Sequence, residues 1–215
     1  MDPVALNYRE TAPEKVDKQF FETHSSRVGG TAVGVPGTVA GLLAAHKRYG
    51  VLTRKQVMAP AIRLANGTYK IDKAFRAAVE SLKPILNKYP DYADIEFDSL
   101  TENKQQAKVL KLISEKGASG FYQGEVAASI IQATSGHLSL DDLGNYAPRW
   151  ETPLKIDIGG GDVLVAMPPP SSGGVAIAEI VGLLSRLCAK QFDEPVFFQL
   201  LIQSMKHAFA DRAEH

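Results

Sequence analysis

An apolar run, Asp162-Val163-Leu164-Val165-Ala166, leads into the loop Met167-Pro168-Pro169-Pro170-Ser171-Ser172-Gly173-Gly174, and a helical pattern begins at Val175. Three prolines fix φ and remove three backbone donors, so this loop is stiff and extended. The serines suit the free N–H groups of a helix start, and the glycines let backbone approach closely. The loop itself either lines a site or locks the two elements together.

The rest of the pattern is helical. Apolar residues at helical spacing predict helices over 14–22, 38–49, 53–65, 72–82, 104–116 and 125–134, with Thr38, Thr53 and Asp72 as caps and Gly50, Gly117 and Gly136 as stops. Residues 89–98 read as irregular, and Ser139-Leu140-Asp141-Asp142 starts like a capping box. Strand signals lie at the two ends. Val4-Ala5-Leu6-Asn7-Tyr8 is a short strand near the N-terminus. Pro153-Leu154-Lys155-Ile156-Asp157-Ile158 alternates with period two and, after Gly159-Gly160-Gly161, returns as a hairpin near residues 153–167. Two long apolar helices, 175–190 and 195–214, complete an α+β, helix-rich reading.

Composition narrows the partners. Lys+Arg and Asp+Glu both total 24, so the basic surplus that nucleic acid or an anionic membrane demands is missing. No apolar stretch approaches the ~20 residues of a membrane span, and Met1-Asp2-Pro3-Val4 is no signal peptide. The single cysteine, Cys188, sits between Leu187 and Ala189 and reads as a small buried hydrophobe. The five histidines show no metal spacing. A strand signal starting at once and a helix running into His215 without a stop give the look of an internal piece of something longer.

Arg9 and Glu10 end the first strand within Tyr8-Arg9-Glu10-Thr11-Ala12-Pro13. An arginine offers a planar fork of donors that matches a carboxylate, although a surface pair of Arg9 with Glu10 has the same sequence signature. Three stretches carry more weight together: Arg9-Glu10-Thr11-Ala12-Pro13, then Gly34-Val35-Pro36-Gly37-Thr38-Val39-Ala40-Gly41, then the proline-serine-glycine loop. Their order and separation resemble the γ-glutamyltranspeptidase (glutathione hydrolase) family of N-terminal nucleophile hydrolases. Phe121-Tyr122-Gln123-Gly124, the stretch 138–143 with Tyr146, and Ala210-Asp211-Arg212-Ala213-Glu214 agree with it.

The resemblance implies an αββα fold of which residues 1–215 form a single, incomplete domain within the large subunit. It implies a precursor that cuts itself in two, and a new N-terminal threonine on the small subunit that attacks the γ-glutamyl amide of glutathione and its conjugates. The threonine's own amino group acts as base, and neither metal nor organic cofactor is required. Water or an amino acid or peptide then takes the γ-glutamyl group. The implied partners are the small-molecule γ-glutamyl substrate and the small subunit, and the implied location is periplasmic or secreted.

On this reading no catalytic residue lies in the chain. The family's Thr-Thr-His-like nucleophile stretch is missing, and Thr23-His24-Ser25-Ser26 fits a polar turn instead. The resemblance assigns Arg9 to the α-carboxylate of the γ-glutamyl group. Glu10 is left to hold Arg9, and Ser171, Ser172 and Gly173 to line the site or to cap and pack the following helix. Two alternatives share these features: a cephalosporin-acylase-like amide hydrolase of the same family, and a non-catalytic helical scaffold.

Overall fold

The structure, a computed structural model, describes residues 2–88, 100–101, 103–187 and 192–214. In chain order its elements are strand β1 (Ala5–Asn7), the single-turn helix α1 (Phe20–Thr23), a 3-10 turn (Gly30–Ala32), helices α2 (Thr38–Tyr49) and α3 (Arg54–Asn66), strand β2 (Tyr69–Lys70), helix α4 (Lys73–Leu86), strand β3 (Leu100–Thr101), helices α5 (Lys104–Lys116), α6 (Ser119–Tyr122), α7 (Gly124–Ala133) and α8 (Leu140–Asn145), strands β4 (Arg149–Glu151), β5 (Leu154–Gly159) and β6 (Asp162–Ala166), and helices α9 (Ser172–Arg186) and α10 (Glu194–Glu214). The architecture is α+β and dominated by helices. The expectations for Cys188, for residues 89–98 and for His215 fall outside the described residues.

The elements form two compact units. One, residues 9–147, is built mainly of helices, with the short antiparallel pair β2–β3. Its core is Val35, Tyr122, Ala127, Leu138 and Leu143, with Val39, Ala40, Phe121, Ile130, Ile131 and Tyr146 packed around them. Local sequence signals build the helices. Thr53 and Gln56 form a reciprocal capping box on α3. Asp72 caps α4 by accepting from the Phe75 N–H at 2.7 Å, and Asn103 caps α5 through the Gln106 N–H. At the far end of α5 the Arg54 guanidinium donates to the carbonyls of Ser114 and Glu115, satisfying groups a helix C-terminus leaves open. Gly120 lets α6 lie against the Leu112 backbone, where a Cβ would overlap the carbonyl.

Two expected helix starts in this unit differ. The helix predicted over 14–22 shrinks to α1, because the Asp17 carboxylate takes an N–H from within that stretch. Asp17 captures the Phe20 N–H at 2.9 Å and Asp142 the Glu14 N–H at 2.8 Å. Thr38 is not the cap of α2 but its first residue. Gly37 is the N-cap and has no side chain to offer. The third N–H of that helix, from Ala40, is accepted instead by the Tyr122 hydroxyl at 3.2 Å.

The other unit joins the first eight residues to residues 148–215. β1 pairs antiparallel with β4, with Leu6 opposite Trp150, and the Asn7 side-chain amide donates to Glu151 at 3.0 Å. The predicted N-terminal strand is present, and its partner β4 had no sequence signal of its own. The β5–β6 hairpin is present too, with Ile156 opposite Leu164 and an irregularity at Asp157–Gly159. Gly159, Gly160 and Gly161 all take positive φ there, which only glycine adopts freely three times in succession. Half-buried and exposed residues alternate along β5, and α9 packs against this hairpin and against α10.

Candidate functional site

Arg9 lies just beyond β1, and two contacts hold the main chain at and after it. The Tyr146 hydroxyl donates to the Arg9 carbonyl at 2.9 Å. Two residues on, Thr11 and Val35 form an isolated antiparallel bridge, with Val35 N–H to Thr11 carbonyl at 2.8 Å and the reverse bond at 3.4 Å. Between them, the Glu10 side chain lies over Gly34, where an added Cβ would stand 3.0 Å from the Glu10 Cγ. An alanine at 34 would be tight against Glu10 and the Thr11 carbonyl, so glycine serves here through space and not through an unusual φ.

The side chains point outward. Arg9 Nε and Glu10 Oε1 are 3.5 Å apart, with side-chain exposures of 57% and 61%. An exposed pair of this kind contributes at most about 1 kcal/mol to stability. It orients the guanidinium more than it holds the fold.

Tyr146, which holds the Arg9 carbonyl, is one of a pair of tyrosines. Tyr146 stacks on Tyr122 at 6.1 Å between centroids, with planes 5° apart. Tyr122 is buried, and its hydroxyl donates to the Pro36 carbonyl at 2.7 Å while accepting from the Ala40 N–H. Burial pushes the Tyr122 hydroxyl above its ordinary pKa; the Ala40 N–H opposes this and Tyr146 adds to it. At pH 7 Tyr122 is neutral and keeps the proton it donates to Pro36. The glycine-proline-glycine loop, the Arg9 segment, Tyr122 and Tyr146 thus meet in one place. The sequence singled out these stretches but gave no sign of the two tyrosine hydroxyl contacts, which join residues 86 and 137 positions apart.

The proline loop belongs to the other unit. Its Pro169–Pro170 peptide is cis. The helix after it starts at Ser172, three residues earlier than the periodicity implies, because Ser171 takes the N-cap position. The capping expected of the serines is not made by the Ser171 side chain, and the Ser171 N–H instead closes a turn on the Pro168 carbonyl at 3.2 Å. The two glycines differ. A Cβ on Gly174 would overlap the Met167 carbonyl oxygen, so this is the close approach the loop requires, whereas a Cβ on Gly173 meets nothing within 4 Å. Pro169, Pro170, Ser171 and Ser172 line an open cavity of about 310 Å³, with Glu179 and Arg212 on its helical side.

Thr23 ends α1, and its hydroxyl hydrogen-bonds His24 Nδ1 at 3.0 Å, while the His24 ring stacks on Phe20. This is the polar turn expected of that segment. Among the described residues no three His, Cys, Asp or Glu side chains are grouped to hold a metal ion, and no helix is long and apolar enough to cross a membrane.

Known proteins are similar to this chain along its length. The model of the gamma-glutamyltranspeptidase family matches residues 1–215. The glutathione hydrolase proenzyme of Pseudomonas aeruginosa is 33% identical over 99% of the chain, and that of Bacillus subtilis 30% identical over 100%. The chain spans 41% and 40% of those two relatives. Among solved structures, the gamma-glutamyltranspeptidase of Pseudomonas nitroreducens complexed with L-DON superimposes on all of the chain with a TM-score of 0.87 at 31% identity, and 69% of that chain is covered. With sequence and backbone both matched over the full length, this chain belongs to the gamma-glutamyltranspeptidase family.

Proposed function

We propose that this chain is part of the large subunit of an enzyme that cleaves γ-glutamyl amides, glutathione and its conjugates among them. The nucleophile is the N-terminal threonine of a small-subunit partner. Its hydroxyl oxygen attacks the γ-carbonyl carbon, its proton passes to the threonine's own amino group, and the amine leaves with that proton. The resulting ester is opened by water or by the amino group of an amino acid or peptide, which regenerates the hydroxyl. Neither a metal nor an organic cofactor enters these steps.

Within this chain, Arg9 binds the α-carboxylate of the γ-glutamyl group and so fixes which end of the substrate faces the nucleophile. The observation that carries this reading is the fixed main chain of Arg9 beneath an outward guanidinium. Glu10 steadies that guanidinium. Ser171 and Ser172 line the cavity beside the proline loop, and Gly173 follows them in the first turn of α9. Residues 1–215 act as one incomplete domain of the precursor, and the parent enzyme works in the periplasm or outside the cell.

The test is turnover of γ-glutamyl-p-nitroanilide by the protein containing this chain, with and without Arg9→Ala. Each charged hydrogen bond to a carboxylate contributes about 1.5–3 kcal/mol, so the variant is expected to lose about ten- to a hundredfold in kcat/KM, chiefly through KM. An unchanged KM refutes the role of Arg9. A self-processed protein that ignores γ-glutamyl donors refutes the substrate.

A further inference from the structure

We infer that Tyr146, braced by Tyr122, is a positioning residue for Arg9 and sets how tightly the γ-glutamyl carboxylate is held; this rests on the role proposed for Arg9. A guanidinium on a long flexible stem loses rotational freedom when it grips an anion, and a receptor that fixes the stem's root in advance reduces that loss. The structure has such a root. The Arg9 carbonyl accepts from the Tyr146 hydroxyl, Glu10 rests over Gly34, and Thr11 is bridged to Val35. The Arg9 carbonyl and the Thr11 backbone are therefore tied to the same surroundings while the Arg9 side chain is mostly exposed.

Tyr146 is itself held. Its ring lies parallel to Tyr122, whose hydroxyl is locked between the Pro36 carbonyl and the Ala40 N–H. The loop that carries Gly34 and Val35 is the one Tyr122 clamps at Pro36. Arg9 is thus located by a hydroxyl on one side and by the clamped loop on the other. Removing the Tyr146 hydroxyl keeps the ring that stacks on Tyr122 and takes the donor away from the Arg9 carbonyl. That makes Tyr146→Phe a narrow probe.

The experiment is a double-mutant cycle on the protein containing this chain, reading KM and kcat for γ-glutamyl-p-nitroanilide with the melting temperature alongside. Tyr146→Phe is expected to raise KM about three- to tenfold with kcat nearly constant. In an Arg9→Ala background the same change is expected to do nothing further, because the group it positions is gone. Gly34→Ala, which presses on Glu10, is expected to raise KM in the same way and to lose its effect in that background too. If Tyr146→Phe leaves KM unchanged, or raises it equally with and without Arg9, the positioning role is overturned while that of Arg9 stands. If Arg9→Ala itself leaves KM unchanged, the carboxylate reading falls first and the inference with it. Should Tyr146→Phe fail to fold, Gly34→Ala decides by the same comparison.

Discussion

The Asp142 carboxylate accepts the Glu14 main-chain N–H at 2.8 Å, across 128 residues of sequence. Its other oxygen accepts from the Ser139 hydroxyl at 2.6 Å and the Ser139 N–H at 2.9 Å. One side chain therefore closes the capping box of α8 and tethers the segment that follows Arg9. Burial acts to raise its pKa, but the Ser139 hydroxyl, the Glu14 and Ser139 N–H groups and nearby Lys15 outweigh it, and the carboxyl lies below its ordinary value.

A depressed carboxyl pKa stabilises the fold above the unfolded-state value, and that stability is lost as pH falls through the folded value. Asp142→Asn is therefore expected to cost about 1 kcal/mol at pH 7. The cost is expected to shrink in acid, below about pH 4. Urea unfolding of both proteins at pH 7 and pH 3 measures it, and a pH-independent difference contradicts the assignment.

Tyr122→Phe strips the Pro36 carbonyl of a donor and the Ala40 N–H of an acceptor in a buried setting. The expected loss is about 1–3 kcal/mol. A raised phenol pKa contributes stability below the unfolded-state value that disappears as pH climbs through the folded one, so wild type and variant are expected to converge above about pH 10. Thermal unfolding against pH reads both effects.

The neighbouring glycines of the proline loop are expected to respond with opposite sign. Gly174→Ala forces a methyl group onto the Met167 carbonyl and toward the Ala166 Cβ, with an expected cost of about 1–3 kcal/mol. Gly173→Ala enters open space in the first turn of α9 and is expected to gain up to about 1 kcal/mol from helix propensity. Two melting curves decide whether the close approach belongs to Gly174 alone.

Leu138 is fully buried in the core around Tyr122. Leu138→Ala is expected to cost about 2–5 kcal/mol. Val51, at 97% exposure, is the control, and Val51→Ala is expected to stay within about 0.5 kcal/mol. Chemical denaturation of the pair tests whether the helical unit is organised about the 35–143 core.

Much of this was legible beforehand because the signals are local. Thr53 with Gln56, Asp72 and Ser139 with Asp142 each cap a helix within three residues of themselves. The hairpin is written in period-two alternation and three glycines. The family was legible as well, since its motifs are short runs in fixed order. What failed was also specific. Helix 14–22 carried helical spacing, but Asp17 offered the Phe20 N–H another partner, and β4 is a strand because β1 lies beside it.

By itself, then, the sequence determined where most helices begin and end, the hairpin with its glycine turn, and the family. Each depends on the conformational limits of a few adjacent residues. Only the tertiary structure decided that Tyr122 caps α2 in place of Thr38, that Gly174 rather than Gly173 makes the close contact, and that Tyr146 holds the Arg9 carbonyl. Those are hydrogen bonds and excluded volumes between residues far apart in the chain. Their energy exists only once the core has brought the partners together, so no local pattern announces them.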